Sequence, residues 1–223
     1  MRHAYGLSIP RTFEEACDPA RMALLVYDMQ VGVLAQIDNG PEIIGRVSTV
    51  VEAARGAGVR VFYSRHMFLP KEVSGVYALR TAMAWQHVDT VEAVRPVLLP
   101  GSPECALVPE LTPTAGELVF DKITMSALAG SPLDIVLRDC RLDTILIAGV
   151  ATEVGIEPTA RHALDLGYLP ILVTDACGHG DATAAHRALE TLQFAGGTLL
   201  TNVATVTAAL DRTHRREPAD ITG

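Results

Sequence analysis

Short apolar runs alternate along this chain with stretches whose apolar residues recur at helical spacing. The runs are Leu24–Tyr27, Val59–Tyr63, Leu118–Phe120, Ile145–Ala148, Leu169–Thr174 and Thr198–Leu200. They largely lack the polar alternation of a half-exposed strand, which predicts strands covered on both faces of a parallel sheet. Between them, Ile43, Ile44, Val47, Val50, Val51 and Ala54 share one helical face and predict a helix over 41–57, stopped by Gly56 and Gly58. Ser131 ahead of Pro132 predicts a helix start running to Cys140. Ile156, Ala160, Ala163 and Leu164 predict another, with Pro158 in its first turn, where a missing N–H costs nothing. Helices over 181–194 and from Thr201 or Asn202 to Leu210 complete the series.

Strands alternating with helices specify an α/β fold: a doubly wound, mainly parallel six-stranded sheet with helices on both faces, a Rossmann-like three-layer arrangement. Residues 1–223 read as a single domain, with 1–20 an irregular lead-in broken by Pro10 and Pro19 and 211–223 a polar, frayed tail. Residues 67–117 lack clear periodicity and are rich in proline, so they are expected to form an excursion of short helices serving as a lid or a subunit contact.

Composition narrows the partners. The chain is 49% hydrophobic and 20% charged, with a net charge of −8 and no basic run, which argues against nucleic acid or an anionic membrane surface. No apolar run approaches the ~18 residues of a membrane span, and the N-terminus lacks a secretory pattern, so a cytoplasmic protein acting on a small molecule is expected. The cysteines Cys17, Cys105, Cys140 and Cys177 are scattered and are expected to be free thiols.

Candidate chemistry gathers at strand ends. Asp28 directly follows an apolar strand, where lost hydration favours a protonated carboxyl and so a proton donor. Lys122, one of only two lysines, ends the third strand in the same way. Arg65 and His66 end the second and are expected to contact substrate. The turn Gly149-Val-Ala-Thr-Glu-Val-Gly155 joins a strand to a helix N-terminus, the crevice where open α/β sheets bind ligands. Its Val150, Ala151, Thr152 and Glu153, with Gln30, are expected to line the pocket. Trp85, the single tryptophan, reads as a lid aromatic over that pocket or an interface anchor.

These residues resemble the isochorismatase-like hydrolases within the cysteine hydrolase superfamily, a likeness covering most of the chain. The family's amidases carry a pattern like G-x-x-T-x-x-C-V-x-x-T-A, against Gly149-Val-Ala-Thr-Glu-Val-Gly155-Ile-Glu-Pro-Thr-Ala160 here. The nucleophile's position is therefore Gly155. Asp121-Lys-Ile-Thr-Met-Ser126-Ala resembles D-K-x-x-x-S-A, so Asp28 and Lys122 match two of the catalytic set. The resemblance implies a cis peptide between Val150 and Ala151 and self-association as a dimer or tetramer. It also implies acid-catalysed hydrolysis of the vinyl-ether type, with Asp28 as proton donor, Lys122 as electrostatic support and Gly155 leaving room for substrate or water. The alternatives are an amidase using water activated by Glu153, and an inactive ligand-binding homologue. Nicotinamidases of the family bind metal through a D-x-H pattern, whereas Ser64-Arg65-His66 offers no carboxylate at that spacing, so neither metal nor cofactor is expected.

Overall fold

A computed structural model describes residues 1–214. A hairpin of β1 (Arg2–Ala4) and β2 (Leu7–Ile9) comes first, followed by the short helix α1 (Phe13–Ala16). The chain then lays down β3 (Met22–Tyr27), α2 (Val31–Leu34), α3 (Gly40–Gly56) and β4 (Arg60–His66). Next come α4 (Val76–Gln86), β5 (Leu118–Lys122), α5 (Leu133–Asp139) and β6 (Thr144–Gly149). The last elements are α6 (Glu157–Asp165), β7 (Leu169–Cys177), α7 (Ala182–Ala195), β8 (Leu199–Thr201) and α8 (Val203–His214).

Six strands pair in the order β5-β4-β3-β6-β7-β8, every pairing parallel. Side-chain alternation along β3 sends Met22, Leu24 and Val26 to one face, where they pack on Val47, Val50 and Val51 of α3 and Val206 and Leu210 of α8. Ala23, Leu25 and Tyr27 point to the other face, against Leu133 and Leu137 of α5 and Ala160 and Ala163 of α6. All six residues of β3 and of β6 are buried, which is why both read as uninterrupted apolar runs.

Both ends of the chain depart from expectation. The lead-in is ordered by local means: Tyr5 and Gly6 take positive φ at the hairpin tip, and the Thr12 side chain caps α1. Its strands are largely exposed, so no apolar pattern announces them. At the other end α8 continues through His214, with Asp211 and Arg212 on its exposed side; the remainder of the expected frayed tail lies outside the described residues. Among the described residues no helix is long and apolar enough to cross a membrane.

Candidate active site

The chain winds outward from β3 to β5, then returns to the centre at β6 and winds the other way. Loops leaving the carboxyl ends of β3 and β6 therefore diverge and open a crevice between the two central strands. Asp28 is the first residue beyond β3 and Gly149 the last of β6.

Asp28 adopts φ +49°, a left-handed conformation that costs a non-glycine residue about 1–3 kcal/mol and is characteristic of functional sites. Its N–H donates to the Ser64 carbonyl at 3.2 Å. One carboxylate oxygen accepts from the Ser64 hydroxyl at 2.6 Å and the other from Lys122 Nζ at 2.6 Å. Lys122 also donates to the Thr124 carbonyl at 3.2 Å and lies 4.4 Å from the centre of the Tyr27 ring. Both members of the pair are buried. Burial pulls the Lys122 ammonium below its ordinary pKa, and the Asp28 charge pushes back. Removing either partner would strand the other's charge in a poorly hydrated interior.

Gly149 has φ +136°, and a side chain there would collide with the Tyr27 backbone, so β6 can close against β3 only with glycine. The Val150–Ala151 peptide that follows is cis. A π-helical turn over Thr152–Ile156 then leads into α6. Inside it, Gly155 faces the Tyr27 phenol, and any side chain at 155 would overlap that ring. The Tyr27 hydroxyl donates to the Met125 carbonyl, and burial holds the phenol well above its ordinary pKa, so it stays protonated.

These groups bound a cavity of about 380 Å³, a size suited to a small molecule. Asp28, Tyr27 and Gly155 form one side, Val150 and Ala151 another, and the excursion supplies Phe68, Ala82, Trp85 and Leu98 as an outer wall. His66 meets Phe68 edge to face at 5.1 Å, and Phe68 meets Trp85 in the same way at 6.2 Å. His66 Nδ1 is buried with no hydrogen-bond partner. Desolvation, then the nearby Lys122 charge, lowers the His66 pKa to about 4, which keeps the imidazole neutral.

Of the residues expected at the site, Asp28, Gly155, His66, Val150, Ala151 and Trp85 line this one cavity, and Lys122 touches Asp28 from behind it. Four others are engaged elsewhere. The Gln30 amide donates to the carbonyls of His66 and Cys105 at 2.9 and 3.0 Å, tying the excursion to β3 and β4. Arg65 forms a two-point pair with Asp121. Thr152 donates its hydroxyl to the Gly178 carbonyl at 2.9 Å. Glu153 accepts from the N–H groups of Gly180 and Asp181, each at 2.8 Å, directly before α7. No cysteine lines the cavity; Cys177 is buried beneath the sheet's end, and burial pushes its thiol up to about 12.

Sequence reasoning missed Tyr27 and Phe68. Phe68 had a local signal, since it lies two residues beyond His66 in extended chain and so shares its side. The role of Tyr27 depends on its contact with a residue more than a hundred positions away, and no local pattern carries it. Among the described residues, no three or more His, Cys, Asp or Glu side chains come together as a metal-ligand set.

A doubly wound sheet with a buried acid–lysine pair beside a cavity at its switch point defines a small-molecule site of the open α/β class. The chain belongs to the isochorismatase family, whose domain pattern matches residues 22–205. It is 29% identical over 205 residues to the ureidoacrylate amidohydrolase RutB of Methylobacterium radiotolerans, covering 84% of this chain and 78% of that protein. The protein of the same name from Methylorubrum extorquens is 31% identical over 179 residues, covering 72% of this chain and 71% of its own length. A cysteine hydrolase from Pseudomonas syringae pv. phaseolicola superposes with a TM-score of 0.76 at 24% identity, over 88% of this chain and 95% of that one. N-carbamoylsarcosine amidase from Thermoplasma acidophilum shares the fold at a TM-score of 0.67 and 22% identity, over 82% and 96% of the two chains.

Proposed function

We propose that the protein hydrolyses its substrate by direct attack of water, with Asp28 as the acid–base group and Lys122 as its electrostatic support. The carrying observation is that the Tyr27 phenol fills the space into which a side chain at 155 would project, while the Asp28–Lys122 pair beside it is intact. Covalent catalysis from position 155 has no side chain to use, and the protonated, hydrogen-bonded Tyr27 hydroxyl is a poor substitute.

At rest Asp28 accepts hydrogen bonds on both oxygens, the arrangement of a carboxylate, and each oxygen keeps a further lone pair for water in the cavity. This favours Asp28 taking a proton first. A water oxygen attacks the electrophilic carbon as its proton passes to Asp28, and the same proton then goes to the departing atom as its bond to carbon breaks. Peptide dipoles at the start of the 152–165 helical segment oppose the negative charge that builds on the substrate. The amidohydrolase and amidase relatives support a C–N bond as the one cleaved. Glu153 is less suited to the base role, since it does not line the cavity and both of its oxygens are buried or turned to the N–H groups before α7.

The vinyl-ether reaction would start instead with the proton already on Asp28. That order is the second reading.

Asp28→Asn is expected to lower kcat by about 10²–10⁴-fold, the usual contribution of a positioned proton-transfer group. A folded Asp28→Asn protein that retains wild-type kcat would rule out this role. The released product, amine against ketoacid, separates the two readings.

A further inference from the structure

We infer that the substrate carries no carboxylate or other anionic group, and that an apolar, ring-sized body fills the space between Tyr27, Phe68 and Trp85. This rests on the hydrolytic reading of the same cavity and adds the chemical class of what enters it.

Charge in the lining carries the first step. Among the described residues, no lysine or arginine lines the cavity, whereas two carboxylates, Asp28 and Glu104, do. Lys122 lies behind Asp28 and is already paired with it at 2.6 Å. Arg65 is turned to Asp121. His66 is held neutral and supplies no positive charge. An anion entering would surrender its hydration and meet no side-chain cation in return, only the peptide dipoles at the start of the 152–165 segment, while facing the carboxylates of Asp28 and Glu104.

Shape and surface carry the second step. Phe68, Trp85, Leu98 and Ala82 form the outer wall and Tyr27 the inner one. The ring edges of Phe68 and Trp85 are already set by their T-shaped contact, so an apolar body gains contact without ordering a loose wall.

The test separates binding from turnover. Wild-type protein is titrated by calorimetry with benzyl alcohol and with benzoate, which share a ring and differ in charge, and neither of which is hydrolysed. Benzyl alcohol is expected to bind at least about tenfold more tightly than benzoate, because the anion gives up its hydration to a wall that offers no side-chain cation. Trp85→Ala should weaken benzyl alcohol binding several-fold. Val97→Arg places a cation on the half-exposed part of the wall and should reverse the preference. Equal or tighter binding of benzoate by the wild type, or no binding of either compound, would overturn the inference. A parallel kinetic assay with benzamide and its 4-carboxylate reports on the reaction: neutral-selective binding without turnover would count against the proposed hydrolysis and leave the binding preference standing.

Discussion

Tyr27 and Gly155 are shaped to each other, since the phenol occupies the volume that a side chain on the π-helical turn would need. Introducing a working thiol by Gly155→Cys should therefore fail. Overpacking is expected to cost about 1–3 kcal/mol, and a native-state thiol titration should find no newly reactive group. Adding Tyr27→Val should recover stability and expose the thiol to alkylation; a reactive, stable single variant would show that the phenol does not fill that space. His66 gives a pH-dependent prediction. Its folded pKa of about 4 lies below the ordinary 6.5, so the neutral form contributes stability above pH 6.5 that is lost as pH falls toward 4. With the ring buried, the full loss is roughly 3 kcal/mol, and His66→Gln should flatten that part of the profile in urea unfolding. Asp28 and Lys122 stood out in the sequence because each ends an apolar run, and Gly155 stood out only through the family motif. Tyr27 did not, because as the last residue of a buried run it looks like one more core position.

Elements with two buried faces were the most legible: β3 and β6 lie wholly inside the protein and announce themselves as apolar runs. Strand ends were read short. β4 continues through His66 and β7 through Cys177, since backbone pairing persists where polar side chains have begun to appear. Helix α4 was hidden in the excursion because Val76, Tyr77 and Trp85 are exposed and only Ala82 is buried, leaving no amphipathic stripe. Glu153 is an element-scale residue. Its carboxylate binds the N–H groups ahead of α7, where Asp181 also accepts from the Ala184 N–H at 2.7 Å. Glu153→Ala should therefore cost about 0.5–2 kcal/mol, as loss of a cap does, and leave kcat within a few-fold of wild type. A collapse of kcat with unchanged thermal stability would return Glu153 to the role of base.

For the whole molecule, the two windings of the sheet around β3 and β6 place the acid, the glycine turn and the excursion wall at one edge, although they come from distant parts of the chain. The excursion also presents Val73, Val76 and Tyr77 to solvent beside the cavity wall, an apolar surface that self-association would cover. Light scattering is expected to give a multiple of the 23.8 kDa chain mass, and a monomer across the micromolar range would contradict this. The direct attack of water is tested most sharply by a single turnover of an uncharged amide, with enzyme in excess, in water labelled with heavy oxygen. Acid-quenched protein should show no added mass by intact mass spectrometry, the acid product should carry one heavy oxygen, and the peptide containing Asp28 should carry none. A covalent adduct on the protein, or heavy oxygen in Asp28 with an unlabelled product, would contradict the account.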